Sequence, residues 1–349
     1  MQKRFTTYDI ARIANVSAST VSRSLNDSPL VAEKTKARVR RIASESNFSF
    51  NANARSLITN RTGIVGLIAP DSFEEYQYSL HTALLIERVR RLLEKSELDL
   101  IVKLRSDENN NNSIRTLVDT RKVDALLVIN PDISANEVSY AVDNQIPVVF
   151  LQAIPPELDL SWRNWVFADH VAGGFMATDH LLGLGHRKIA CLTIQTHELS
   201  FHERTDGYRQ ALAQAGIPDY EVVDGDGTFE FGYQFVQRNR QRFEEGITAI
   251  FSQTDIMALG AIEGLWDIGL RVPQDVAIVA YDDIGFGKDF RPRLTTVHQP
   301  RDRIAAIACE QIVELRRQVY TGALPAQELS RTQRRIQPYL VVRESCGAE

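Results

Sequence analysis

Tyr8-Asp9-Ile10-Ala11-Arg12-Ile13-Ala14-Asn15-Val16-Ser17-Ala18-Ser19-Thr20-Val21-Ser22-Arg23-Ser24-Leu25-Asn26 reads as helix, tight turn, helix. Thr6 to Asp9 is a capping-box pattern ahead of the apolar positions Ile10, Ile13 and Ala14, which predicts a first helix of about two turns that Asn15 ends. Ser17 can cap a second helix running to about Leu25, with Val21 and Leu25 one turn apart on the same face. Ala11 and Ala14 are small where two helices must approach, and Val16 and Val21 fill the angle between them. At the open end of the second helix, Ala18, Ser19 and Thr20 are short enough for close contact with base edges or phosphates, and Arg23 adds a long donor. The rival reading of these residues is a plain three-helix packing unit with a solvated basic face.

Outward from this stretch, Asn26-Asp27-Ser28-Pro29 breaks the chain. A third helix is expected from about Glu33 to Ser46, burying Ala37, Ile42 and Ala43 and showing Lys34, Lys36, Arg38, Arg40 and Arg41, with Asn47 as a left-handed cap. Residues 1–62 hold 11 Lys and Arg against 4 Asp and Glu, a net of +7, while the rest of the 349-residue chain holds 29 against 41, a net of −12. A basic head on an acidic body suits a small part that meets phosphates and a larger part that binds something else. Hydrophobic residues at 44% and charged residues at 24% are ordinary for a globular protein. No apolar run approaches the ~20 residues of a membrane span. The opening residues lack the apolar segment of a secretory signal, so a cytoplasmic protein is expected. Cys191, Cys309 and Cys346 are too few and too scattered for a disulfide framework or a zinc site.

From Thr62 the texture changes to alternating strands and helices. Residues 64–69, 100–102, 125–129 and 147–151 are short apolar runs of the kind buried on both faces, separated by helical stretches near 84–94 and 134–144, the latter opened by a capping box of Ser134 with Glu137. After Pro155-Pro156 a second series follows, with strands at 165–168, 189–194, 249–251 and 276–280 and helices at about 170–182, 202–215, 230–243 and 255–268. Two such α/β series exceed one core, which predicts a bilobed body of two parallel sheets with a cleft between the lobes.

Catalytic signatures are not evident. His197 and His202 lack further metal ligands nearby, Gly183-Leu184-Gly185 precedes a strand instead of following one, and Asp282 and Asp283, adjacent at a strand end, point to opposite faces unless the chain bends sharply. No Gly-x-Ser-x-Gly elbow or phosphate loop occurs. No cofactor, metal or catalytic residue is expected.

Residues 8–26 resemble the DNA-binding headpiece of the LacI/GalR family of bacterial transcription regulators, and Asn51-Ala52-Asn53-Ala54-Arg55-Ser56-Leu57 resembles its hinge helix. Leu184 to Ala190, Glu203-Arg204 with Gly207-Tyr208, Asp255 to Ala261, and Tyr281-Asp282-Asp283 followed by Leu294 to Val297 resemble its periplasmic-binding-protein-like core. The resemblance runs in order along nearly the whole chain. It implies a three-helix helix-turn-helix headpiece over 1–48, a hinge helix and linker over 49–62, and a bilobed core over 63–343. Within that core the N-subdomain takes about 63–164 and 299–330 and the C-subdomain about 165–298 and 331–343, with a tail at 344–349 too short for a leucine-heptad extension.

The same resemblance implies a homodimer on double-stranded operator DNA. Thr7, Ser17, Ala18, Ser19, Thr20, Ser22, Arg23 and Asn26 would contact the major groove and its phosphates, Asn51, Ala54 and Arg55 would sit at the minor groove, and Leu57 would be the wedge that kinks a central base step. It places the effector among Phe73, Gln152, Phe167, Arg204, Thr254, Trp266, Asp282 and Gln299, with Phe167 and Trp266 as stacking surfaces, and a guanidinium opposite a carboxylate suits a sugar or sugar derivative. The rival readings are a structural ion pair for Arg204 and Asp282 and ordinary core for the aromatics. This sequence departs from the family pattern at Phe50, where proline is common, at Ala32, where a serine cap is usual, at Ser72 to Tyr78, at Gln152 and at Thr254. The resemblance therefore does not transfer the identity of the ligand. Two other classes share parts of this pattern: a solute-binding protein shares the core but has no use for a basic head, and a carbohydrate-processing enzyme shares the ligand but needs paired carboxylates.

Overall fold

The computed structural model describes residues 5–25, 28–46, 48, 61–70, 79–105, 113–129, 133–152, 154–155, 157–158, 164–196, 198–218, 221–322 and 332–348. Asn26, Asn47, Asn51, Ala54, Arg55, Leu57 and Phe73 lie outside them, as does the expected hinge helix. The chain divides into two compact units, residues 1–63 and 64–349.

The first unit contains α1 (Thr7–Ala14), α2 (Ala18–Leu25) and α3 (Glu33–Glu45). The Thr6 hydroxyl accepts from the Asp9 amide while the Asp9 carboxylate accepts from the Thr6 amide, and Asn15 closes α1 in the left-handed region at φ 50°. Ser17 Oγ accepts from the Thr20 amide at 3.1 Å and caps α2. Ile10, Val21 and Val39 are fully buried, with Ala11, Ala14 and Ile42 around them and Val16 and Leu25 packed at the edge. On α3 the expected burial of Ile42 and Ala43 holds, and that of Ala37 does not. Ala37 is exposed, whereas Lys36, Val39, Ile42 and Ala43 face inward at helical spacing. The Lys36 stem covers the core while its ammonium meets Glu33 Oε1 at 2.7 Å.

The second unit begins with β1 (Ile64–Pro70), α4 (Ser79–Lys95), β2 (Asp99–Arg105), α5 (Ser113–Asp119), β3 (Ala125–Val128), α6 (Ala135–Asp143), β4 (Val148–Leu151) and β5 (Asn164–Ala168). It continues with α7 (His170–Gly183), β6 (Ile189–Ile194), α8 (Leu199–Gln214), β7 (Glu221–Gly225), α9 (Phe229–Arg238), α10 (Arg240–Glu244), β8 (Ala249–Ser252), α11 (Asp255–Asp267), β9 (Ala277–Asp282) and β10 (Thr295–His298). Then come α12 (Arg301–Thr321), β11 (Thr332–Ile336) and β12 (Tyr339–Val341). One sheet has the order β11-β5-β4-β3-β1-β2 and is parallel throughout; the other has the order β12-β10-β9-β8-β6-β7 and is parallel except for β12. Helices cover both faces of each, which is why most of the central strands are largely apolar runs, β10 with its buried Thr295 and Thr296 being different.

Two expected boundaries are corrected. The run at 164–168 belongs to the first sheet, where Phe150 pairs with Trp165 and Leu151 with Val166, and β11 lies beside it. A strand buried on both faces reads the same in either lobe, so pairing alone assigns it. The first lobe is thus 64–168, α12 and β11, and the second is 170–298 with 339–346. Residues 344–346 are likewise no tail. Ser345 is fully buried, with its hydroxyl donating to the Ile278 carbonyl at 2.7 Å and accepting from the Thr295 amide at 2.8 Å.

Close approach of α7 and α8 depends on Gly174 and Gly207. A Cβ at Gly174 would run into the Arg204 carbonyl, and one at Gly207 into the Val171 carbonyl. The missing side chains bring the helix that carries Arg204 down onto its neighbour.

Candidate functional site

The carboxyl ends of the parallel strands in both lobes face one cavity. Pro70 ends β1, Ile194 ends β6 and Asp282 ends β9, while Ile129, Gln152, Thr254 and Gln299 follow the strand ends of β3, β4, β8 and β10. Side chains from several strands converge there because parallel strands all end on the same edge of their sheet.

Arg204 is the buried cation of the site, with 4% of its surface exposed. Its guanidinium lies over the rings of Tyr281, at 3.9 Å, and Phe201, at 4.6 Å. Nη1 donates to the Gln253 carbonyl at 2.6 Å, Nε donates to His170 Nδ1 at 3.4 Å, and Nη2 stands 4.0 Å from Asp282 Oδ1. Asp282 Oδ1 also accepts from Gln299 Nε2 at 2.7 Å. Burial pushes the Asp282 carboxyl up, opposed by Arg204, Gln299 and Arg301. Behind it, Asp255 is raised further, by burial and then by the charge of Asp282. Burial therefore disfavours charge most at Asp255, while the neighbouring cations favour the charged form of Asp282.

Asp282 and Asp283 have φ of 122° and 51°, and this bend sends the two carboxylates to different partners. Asp283 meets Arg343 Nη2 at 2.6 Å and His298 Nδ1 at 2.8 Å. Against burial, which raises it, those hydrogen bonds hold the Asp283 carboxyl at about 2. From the first lobe, Arg301 donates to the Asp282 carbonyl at 2.5 Å, to the Asp283 carbonyl at 3.0 Å and to His81 Nδ1 at 3.3 Å. A second link between lobes joins Arg335 of β11 to Glu203 of α8 at 2.6 and 2.8 Å.

Of the expected ligand residues, Gln152, Arg204, Thr254, Asp282 and Gln299 line this one cavity. Phe167 does not. It is 2% exposed and stacks on Trp165 at 4.8 Å inside the first lobe, because its position in β5 turns it onto the α5–α6 face of the sheet. Trp266 does not either: it lies on the outer face of α11, 75% exposed, while Met257, Ala261 and Leu265 take the inward face.

On the headpiece, Ser17, Ser19 and Arg23 are exposed, Thr7, Ala18, Thr20 and Ser22 are half-buried, and the hydroxyls of Ser19 and Thr20 each lie 2.8 Å from Ser17 Oγ. The start of α2 therefore presents a cluster of small hydroxyls with a guanidinium one turn further on.

The description of the lacI family of bacterial regulatory proteins matches residues 6–51, and that of the periplasmic binding protein-like domain matches residues 178–346. The HTH-type transcriptional repressor PurR of Aliivibrio salmonicida is 32% identical over 311 residues, spanning 88% of this chain and 90% of that relative. The chain belongs to the LacI family. As a LacI-family transcription regulator, it is also 31% identical over 316 residues to the ribose operon repressor of Escherichia coli, across 87% of this chain and 91% of the relative. Its structure is similar to that of the lac repressor dimer bound to operator and the anti-inducer ONPF, with a TM-score of 0.80 at 25% identity over 99% of this chain and 100% of that one.

This LacI-family cavity also contains residues that sequence reading missed: His81, Thr82, His170, Glu198, Ser200 and Phe201. Ser200 and Phe201 lie within one turn of Arg204 on α8 and were reachable by helical spacing. His81 had no such signal, since it comes from α4 in the other lobe. Among the described residues no group of three or more His, Cys, Asp or Glu is placed to hold a metal, and no helix is long and apolar enough to cross a membrane. His202 meets the Thr196 carbonyl at 3.0 Å.

Proposed function

We propose that this regulator is a cytoplasmic homodimeric repressor whose grip on a near-palindromic operator is set by a small hydroxyl-bearing metabolite, a sugar or sugar derivative, in the cavity. The observation that carries this reading is the meeting of Arg204 and Asp282 at the strand ends between two lobes, in a chain whose first unit presents α2 outward. A guanidinium and a carboxylate side by side offer hydroxyls both a donor and an acceptor.

Thr7, Ser17, Ala18, Ser19, Thr20, Ser22, Arg23 and Asn26 are the headpiece contacts in this proposal, with Asn51, Ala54, Arg55 and Leu57 continuing them into the minor groove. Gln152, Thr254 and Gln299 join Arg204 and Asp282 in holding the metabolite. A ligand that fills the cavity shifts the balance of the Arg301 and Arg335 contacts between the lobes, and a coupling of about 1–3 kcal/mol is enough to change operator occupancy. Catalysis is not part of the proposal. Asp282 and Asp283 turn to separate partners, so these two neighbours do not form an acid–base pair on one substrate.

The test is fluorescence anisotropy of the full chain on duplexes from its own promoter region, across a salt series and with and without sugars. Binding is expected to weaken steeply with salt, and Leu57→Ala to lower operator affinity while leaving metabolite binding intact. Salt-independent binding, or a metabolite response that survives Arg204→Ala, would overturn it.

A further inference from the structure

We propose that the cavity accepts only an uncharged ligand, with His81 and His170 acting as neutral N–H donors that select it, and that phosphorylated or carboxylated relatives of that ligand are excluded. This rests on the reading of the cavity as a metabolite site and narrows the ligand class.

The imidazole geometry comes first. His170 Nδ1 lies 3.4 Å from Arg204 Nε and 3.1 Å from the Tyr281 hydroxyl, and His81 Nδ1 lies 3.3 Å from Arg301 Nη1. A guanidinium has donors and no acceptor, so each Nδ1 must be an acceptor. The ring proton then sits on Nε2, and both rings line the cavity. Protonating either ring would set an N–H against a guanidinium that already points at that nitrogen. The two histidines are therefore held as neutral donors. Arg301, Arg204 and His298 surround His81, and Arg204, His81 and Arg335 surround His170; after burial, these charges hold both groups well below their ordinary range.

Charge balance comes second. Among the described residues, the cations at the cavity are Arg204 and, behind His81, Arg301; the carboxylates are Asp282 and Glu198. These match without a ligand. Arg204 is clamped between two rings with Nη1 and Nε already donated, so what it offers a ligand is chiefly Nη2, 4.0 Å from Asp282 Oδ1, and not a free two-pronged fork. Among the described residues, an incoming anion would be buried beside Asp282, whose charge already offsets Arg204, and the histidines, which usually supply a cation by taking up a proton, are prevented from doing so. A hydroxyl has no such conflict. It accepts from an imidazole N–H and donates to Asp282.

The experiment has two arms on the full chain. In the first, thermal stability is measured with D-ribose and ribose 5-phosphate, D-glucose, glucose 6-phosphate and D-glucuronate, cellobiose, hypoxanthine and inorganic phosphate. Saturable stabilisation is expected only from uncharged members. For any that binds, His81→Gln or His170→Asn is expected to weaken binding by about 10-fold, the size of one hydrogen bond to a buried group. Saturable stabilisation by a phosphate ester, by glucuronate or by inorganic phosphate overturns the proposal.

In the second arm, long-range proton–nitrogen spectra of 15N-histidine protein are followed from pH 5.5 to 7.5, with the two variants assigning the signals. Both rings are expected in the neutral Nε2–H form throughout, and an imidazolium or an Nδ1–H tautomer overturns the proposal. A panel with no stabilising compound counts against the sugar-responsive function, while the spectra decide the imidazole assignment separately.

Discussion

The two functional surfaces are held in opposite ways. At the start of α2, the hydroxyls of Ser19 and Thr20 are fixed by Ser17, two and three residues back, and the outcome is an exposed, locally supported cluster. In the cavity, Arg301 reaches His81 across 220 positions and Gln299 reaches Asp282 across 17, and the outcome is a buried network whose members depend on each other. A local cap can be lost at small cost. A buried charge cannot lose its partner cheaply.

The largest effect expected from this contrast is at Arg204. Arg204→Ala leaves the Asp282 carboxylate buried without its neighbouring cation and is expected to destabilise the core unit by about 3–5 kcal/mol in urea unfolding at pH 7. Adding Asp282→Asn is expected to restore much of that loss, and a single variant within about 1 kcal/mol of the parent would end the contrast.

Next in size is acid sensitivity. His81 and His170 are depressed in the folded state, so the unfolded chain takes up protons first as pH falls below 6.5. Stability is fully present above that value and is expected to fall by up to about 1.4 kcal/mol per pH unit per histidine below it, an effect that His81→Gln with His170→Asn should flatten. Stability unchanged between pH 6.5 and 5.5 would mean that the rings take up protons in place.

Gly207→Ala is expected to force α7 and α8 apart and cost about 1–3 kcal/mol, read as a lowered Tm of the core. Smallest is Thr6→Ala, which removes the α1 cap and is expected to cost about 1 kcal/mol in the headpiece alone, read by urea unfolding of that unit. A Thr6→Ala loss as large as that at Arg204 would show that the headpiece is a dependent network too.

The same contrast explains what could be read from the residues. The caps at Thr6, Ser17 and Ser134 are contiguous patterns, and each forms the expected hydrogen bond. Most central strands were legible because burial on both faces favours apolar side chains, but β10, Thr-Thr-Val-His, carries too few of them to be read as a strand. The edge strands β11, Thr-Gln-Arg-Arg-Ile, and β12 were not, since half-exposed residues carry no such signature. Arg204, Asp282 and Gln299 were found through resemblance and are gathered in one cavity by the fold. Phe167 and Trp266 failed because an aromatic residue near a strand end or on a helix says nothing about which side it faces. His81 and His170 were invisible, because their role depends on guanidiniums that arrive from distant segments.

The path crosses from one lobe to the other after Ala168, again after His298, and a third time between Ile336 and Tyr339. Three tethers side by side resist torsion far better than one, so the easiest relative movement is a single opening and closing about the line they define. Any stimulus acting on this body is thereby converted into one coordinate. Neither half can be cut out as an uninterrupted fragment, and removing any one tether should permit swivelling and blur the signal without unfolding either half.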